Sequence, residues 1–445
     1  MHLDPVLLSR IQFAMTVGFH FIFPPLSIGL AYFLVLVEWR AWRRNDPVYE
    51  RMGRFFAKFL ALTFAMGVAT GITMEFQFGT NWAQYARFVG DIFGAPLAAE
   101  AVFSFFLEST FLGLYLFGRG RVSKGAHWFS ILMVAVGATL SAFWILVANS
   151  WQQTPAGYVF NSETGRAELT SFAAAVFNRS MPIRFLHTMD AAVICGAFLV
   201  AGISAYLLLK DKTNEVARRA LRIAVVAGFI ASVLELFPFG HEHARQIAHQ
   251  QPAKLAAFEG LFETGPNAPL TLIGIPTETG LIGAVRAPSL LSLLVGMRPD
   301  YVVKGLNDFP PDERPPVFLP FMGFHAMVGL GSLFIALTAY GLFQLWRGRL
   351  WEDKLYLWGL IMAIPLPVIA CQAGWIVAEV GRQPWIVYGL LKTADAVSPR
   401  LTGGEVLFSI ILFGAVYALL FALYLYLCVT TARRGPETAA GKEAA

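Results

Sequence analysis

Charge is scarce in this chain, at 14% of 445 residues, and cysteine occurs only three times. So little charge beside 56% hydrophobic residues excludes an ordinary soluble domain and points to an integral membrane protein in a lipid bilayer. The apolar residues come in long runs without two-residue alternation, which excludes a transmembrane β-barrel. A formal charge of +5 is too small for a nucleic-acid surface and fits basic loops, so no nucleic-acid partner is expected. Cys195, Cys371 and Cys428 lie far apart inside apolar runs. With no C-x-x-C or C-x-x-C-H, neither a thiolate metal site nor covalent haem attachment is expected, and the cysteines read as packing residues. The basic start and small-residue cleavage site of a signal peptide are lacking, so the first apolar run is expected to stay in the bilayer.

What is there is a set of nine apolar segments, at about 11–37, 55–78, 92–117, 126–148, 183–209, 217–239, 319–345, 356–380 and 404–428, each near the length a bilayer requires. The connections after the first, third, fifth and seventh are short and basic, carrying Arg40, Arg43 and Arg44, then Arg119 and Lys124, then Lys210 and Arg218, then Arg347 and Lys354. Arg433, Arg434 and Lys442 follow the ninth. By the positive-inside rule these connections are cytoplasmic, the N-terminus is periplasmic and the C-terminus cytoplasmic. The expected fold is therefore an all-α integral membrane protein of nine transmembrane helices, 1–445 forming a single membrane domain. A long periplasmic loop spans 240–320, and the tail at 430–445 is expected to be disordered. No internal repeat is visible, which argues against the inverted-repeat transporters.

Ionisable and polar residues interrupt the apolar runs: His20, Glu75, Glu100, Glu108, His187, Asp190, Glu235, His325, Gln372 and Glu379. Inside a membrane such residues are functional candidates by default. His187, Met327 and Glu379 fall near the periplasmic end of their helices, and His20 lies at mid-depth. A histidine and a methionine level with each other on two helices suit a haem iron between them, and suit a structural histidine and a packing methionine equally well. Glu100 and Glu108 stand about 12 Å apart along one helix and about 80° around it, which suits a proton path or two separately bonded structural acids. Glu379, followed by Arg382, fits an interfacial ion pair, and it also fits a ligand or proton donor at a metal centre. His241-Glu242-His243 lacks the H-E-x-x-H spacing and reads as solvated surface.

The stretch Gly374-Trp375-Ile376-Val377-Ala378-Glu379-Val380-Gly381-Arg382-Gln383-Pro384-Trp385 resembles the G-W-x-x-x-E-x-G-R-Q-P-W signature of subunit I of cytochrome bd-type quinol oxidases. Arg10-Ile11-Gln12-Phe13 with His20, Glu100 with Glu108, Arg184-Phe185-Leu186-His187, Lys254 with Glu259, and Met327-Val328-Gly329 extend the likeness over nearly the whole chain. The resemblance implies three haems. His187 and Met327 would ligate a low-spin haem b that accepts electrons from quinol. His20 and Glu379 would each serve one of two high-spin haems, one of b type and one haem d or a further haem b, with Glu100 beside them and Trp375 and Arg382 in the signature around them. It also implies a proton route from the cytoplasm at Glu108, ubiquinol or menaquinol oxidised at Lys254 and Glu259, and O2 reduced to water without pumping. Partners would be a second membrane subunit and a very small third, in the bacterial inner membrane.

Three departures accompany the resemblance. The loop is short, as in the branch that includes cyanide-insensitive oxidases. His325 stands where better-known members have arginine, and Gln372 replaces a common glutamate. Two rival readings are a haem-anchoring subunit of a quinone-linked dehydrogenase and a proton-coupled secondary transporter.

Overall fold

The computed structural model describes residues 3–277 and 279–437. Among them, nine helices are long and apolar enough to cross a membrane: Pro5–Arg44, Pro47–Thr80, Ala83–Phe117, Lys124–Gln153, Met181–Lys210, Glu215–Gln250, Phe318–Trp346, Lys354–Val380 and Gly403–Arg434. They are called the first to ninth spans. Most run past the apolar segments because polar caps extend them. Asp4 accepts a hydrogen bond from the Val6 amide ahead of Pro5, whose missing N–H costs nothing at a helix start. Thr402 and Glu405 close a capping box on the ninth span. That span continues to Arg434, so the tail expected to be disordered from 430 begins as helix. The rest of that tail, 438–445 with Lys442, lies outside the described residues.

Four spans are interrupted, each near a proline. The first divides into Pro5–His20 and Phe23–Arg44, because Pro24 and Pro25 cannot donate to the preceding turn. Ile22 turns its amide to Phe19, and the Gly18 carbonyl left over accepts the Gln372 side-chain amide at 2.7 Å. A glutamate carboxylate at 372 could not donate that bond, which accounts for glutamine there. The third span loosens into a π segment at Glu100–Phe105, just after Pro96. The sixth does the same at Glu235–Gly240 around Pro238, and then continues as helix over His241–Gln250. The long loop accordingly starts at Gln251 rather than at 240, since the wider turn absorbs Pro238 and lets the helix run on. The eighth is parted at Pro365 into Lys354–Met362 and Leu366–Val380.

The basic connections gather at one end of the bundle. There Arg219 pairs with Asp46, Lys124 with Glu50, and Lys210 donates to the Arg433 carbonyl. Beneath them Glu38 is buried with Arg119, Tyr115 and His127. The long loop covers the other end as ordered chain: a short helix at Pro252–Glu259, a hairpin pairing Leu270–Pro276 with Leu281–Ala287, and a helix at Leu290–Gly296. Within the bundle the first and fifth spans touch backbone to backbone at Gly29 and Gly196. A Cβ on Gly196 would fall 2.4 Å from the Gly29 carbonyl carbon, and one on Gly29 would fall 2.2 Å from the Ala192 oxygen. Small residues at such crossings let helices approach closely in lipid, where dispersion rather than water expulsion holds them. Gly196→Leu should therefore force the two spans apart and destabilise the bundle by about 1–3 kcal/mol or more. Unfolding of the purified protein in detergent measures this, and a wild-type unfolding temperature would show the crossing to be loose.

Candidate metal centres

Glu379 is the next-to-last residue of the eighth span, at its loop end. Its Oε2 accepts from Arg382 at 2.6 Å, and its Oε1 accepts from Asn149 at 3.1 Å and Gln153 at 3.2 Å. Both amides lie on the last turns of the fourth span. The network spreads outward from them. Arg382 also donates to Gln152 at 3.1 Å, Arg184 donates to Asn149, and Gln152 to the Tyr85 hydroxyl. Lys254, from the loop helix, donates to Gln153 Oε1 at 2.5 Å. One amide side chain thus joins the loop lysine to the Glu379 carboxylate. The ion pair with Arg382 is present, and it is one strand of a larger polar cage rather than a solvated surface pair.

The other candidates are seated singly. His20 ends the first half-helix, and its Nδ1 lies 3.0 Å from Thr70 Oγ1. That hydroxyl donates its proton to the Met66 carbonyl at 2.8 Å, so it accepts from His20 and leaves the Nε2 lone pair free. His187 turns Nδ1 toward Glu235 Oε1 at 3.2 Å, and its ring stands 5.1 Å from that of His243. Met327 faces the eighth span, where a Cβ on Gly374 would approach its sulfur to 3.0 Å. Gly71 opens the same kind of room beside His20, where a Cβ would lie 3.2 Å from Cε1. Trp375 meets Phe21 edge to face across the break in the first span.

Glu100, at the start of its π segment, accepts from Ser141 at 2.7 Å. Glu108 is buried where its backbone meets Gly137, four residues from Ser141 on the fourth span. The two acids therefore meet that helix at points about one turn apart. Lys254 and Glu259 are both almost fully buried on the loop helix but point to different partners. Burial, then the neighbouring Arg184 and Arg382, holds the Lys254 ammonium well below its usual range. Glu259 bonds the Thr271 backbone in the hairpin, while burial lifts its carboxyl to about 8. His325 also reaches Thr271: its ring nitrogens lie 2.8 Å from the Phe321 carbonyl oxygen and 2.9 Å from that of Thr271.

A model of the family described as cytochrome bd terminal oxidase subunit I matches residues 8–436. The chain belongs to that family. Cytochrome bd ubiquinol oxidase subunit 1 of Bacillus subtilis is 40% identical over 98% of this chain and 95% of its own length. Cytochrome bd-II ubiquinol oxidase subunit 1 of Escherichia coli is 37% identical over 98% and 97%. The solved bd oxidase of Geobacillus thermodenitrificans superposes with a TM-score of 0.91 at 33% identity, over 98% of this chain and 99% of that one. A bd oxidase subunit I is a multi-pass membrane oxidoreductase with haem, and it assembles with at least a second subunit, which sets aside the dehydrogenase-anchor and transporter readings.

The residues of this bd oxidase subunit fit haem. His20 offers a free imidazole nitrogen, Met327 a sulfur with a glycine opposite, and Glu379 a carboxylate already oriented by three donors. His187 has its Nδ1 3.2 Å from a Glu235 carboxylate oxygen, although no hydrogen bond joins them. Asn149, Gln152 and Gln153 went unnoticed in the sequence, although Asn149-Ser150-Trp151-Gln152-Gln153 is a polar run closing an otherwise apolar helix. The reading of His241-Glu242-His243 as solvated surface is corrected in part. Glu242 is exposed and pairs with Arg245 at 2.7 Å, but His243 turns inward onto His187 because the helix continues beyond Pro238.

A pH dependence follows from Glu259. Its carboxyl keeps a proton up to about pH 8 in place but only to about 4.5 when released. The closed loop therefore loses stability as pH rises through that window, and the loss is complete above it. Hydrogen exchange of the loop helix, corrected for intrinsic rates, should show protection falling from pH 5 to pH 8 in the wild type and holding level in Glu259→Gln. Equal slopes in the two proteins would refute the assignment.

Proposed function

We propose that this chain is the haem-carrying subunit of a quinol:O2 oxidoreductase that oxidises quinol at the periplasmic face and takes the protons for water from the cytoplasm. The observation that carries the reading is the Lys254–Gln153–Glu379 link, which joins the loop helix directly to a candidate iron ligand. The basic ends of the spans face the cytoplasm by the positive-inside rule, which puts the loop and its lysine in the periplasm and the N-terminus with them. The bacterial inner membrane is the compartment in which such an arrangement generates a proton motive force.

His187 and Met327 would hold a low-spin haem b. His20 and Glu379 would each serve one of two high-spin haems, one of b type and one haem d or a further b. When bound, these haems supply electron transfer and the reduction of oxygen. The protein's own residues bind, orient and move protons. Lys254 and Glu259 receive the quinol, ubiquinol or menaquinol; a carboxyl that titrates at about 8 exchanges a proton readily near neutral pH. Arg382 and the two amides hold Glu379 as a carboxylate in an apolar setting. Glu108 and Glu100, about two turns apart on the third span and both against the fourth, with Ser141 beside the upper acid, form a proton route from the cytoplasmic side. Charge separation then comes from releasing protons on one side and consuming them from the other, with no pump. Each charge moved against 100 mV works against about 2.3 kcal/mol.

The second subunit has a surface to cover. Glu75 is exposed on the second span amid Ile72, Phe76, Phe103 and Phe106, all open. A carboxylate bare to lipid is costly, so a protein neighbour is expected over that face. A very small third subunit belongs to the same proposal.

Replacing His187 or Met327 should remove the low-spin b signal from reduced-minus-oxidised spectra of the purified oxidase; an unaltered spectrum would exclude that ligation. Glu108→Gln should slow quinol-driven oxygen uptake at least tenfold while haem content stays at the wild-type level. Loss of haem in that variant would instead make Glu108 a structural acid.

A further inference from the structure

Three buried cations crowd the loop end of the bundle. Arg184 is 4% exposed, Lys254 1% and Arg382 5%, and the charges of Arg184 and Arg382 both act on Lys254. The acid they share is Glu379. Of the neighbouring acids, Glu259 bonds the hairpin backbone, Glu242 pairs with Arg245, and Glu235 lies 3.2 Å from His187 with its Oε2 and the Asp190 Oδ2 buried and without a partner. Arg184 thus sits beside Lys254 and Arg382 in a place sheltered from water, where a cation without an anionic partner is unfavourable.

Unused hydrogen-bonding capacity lies in the same region. Arg184 Nε, His243 Nε2 and Gln251 Nε2 are buried without a partner, and the Lys254 ammonium has Gln153 as its one bonded acceptor. Arg184 lies three residues before His187, and the His243 ring stands against the His187 ring. Gln251 accepts the Lys254 amide at the start of the loop helix. These groups rim a candidate iron ligand with nitrogens that have nothing to bind, and a buried site of that kind calls for an anion with several oxygens.

We propose that Arg184, His243 and Gln251, with Lys254 behind them, bind the propionate carboxylates of the haem held by His187. The assignment rests on the reading of His187 as a haem ligand. A haem carries two propionates, whose oxygens would meet these unpartnered donors. Arg184 is suited to the forked geometry of a carboxylate, and Gln251 supplies a neutral donor that adds no further charge. The turn of the sixth span at Pro238 then has a purpose: by letting the helix run on to Gln250, it brings His243 and Gln251 over the fifth span.

The test uses the whole oxidase, purified from cells supplied with 5-aminolaevulinate carrying carbon-13 at the carboxyl that becomes the propionate. Redox-difference infrared spectra then mark the propionate bands alone, which separates them from any lipid headgroup or free anion. His243→Phe and Arg184→Met should shift the labelled bands and lower the midpoint potential of the low-spin haem, because a cation that favours the reduced iron has been lost or displaced. Arg245→Gln, on the outer face of the same helix, should alter neither. If Arg184→Met fails to retain haem, Arg184→Lys and His243→Gln are read by the same criteria. Labelled bands and potential at wild-type values in variants that keep their low-spin haem would overturn the cradle alone. A wild-type enzyme without haem would overturn the oxidase reading, and the cradle with it.

Discussion

A carboxylate placed among membrane helices has to be matched by donors, and the way Glu379 is matched organises this protein. Arg382 from its own helix neutralises the charge, while Asn149 and Gln153 from the fourth span take up the remaining lone pairs. Each of those partners is held in turn by Arg184, Gln152 or Lys254. Burying one acid therefore ties together the ends of the fourth, fifth and eighth spans and the loop that lies over them. Removing any one donor would leave a charge or an amide unpaired in a dry setting, which costs far more than a surface pair.

The interruptions in the helices belong to the same logic. His20 closes a half-helix, Glu100 opens one π segment and Glu235 opens another. Irregular backbone is tolerated inside a membrane where neighbouring protein can satisfy the groups it frees, as Gln372 does for Gly18. The chain thus places its polar side chains where its ladder of backbone bonds is already disturbed, next to a proline that accounts for the disturbance.

Much of this could be read from the residues. The nine spans were visible because apolar runs of the required length are hard to mistake, and Glu379 stood out as an acid where acids are expensive. Boundaries were less legible. Asp4 and Pro5 extend the first span beyond the apolar run at 11–37, and the sixth continues past the apolar run at 217–239 because a π turn carries the helix beyond Pro238. The inward turn of His243 was hidden for that reason: a polar tripeptide after an apparent helix end looks like surface. Gln153 was invisible as a bridge because its role depends on a loop helix folding back from a hundred residues away. Local composition carries no sign of such a partner.

The glycine crossing of the first and fifth spans has a further consequence for the relative height of His20 and His187. Gly29 lies nine residues beyond His20, and Gly196 lies nine beyond His187, on helices that run in the same direction. Pinning the two glycines together holds each imidazole nine residues from the pin, His187 along an unbroken helix and His20 across the break at Phe21–Ile22. A slip by one helical turn would offset them by about 5.4 Å. The contact works as a ruler: two residues without side chains, deep in the bilayer, fix the height of the two histidines relative to each other, whatever the loop above them does.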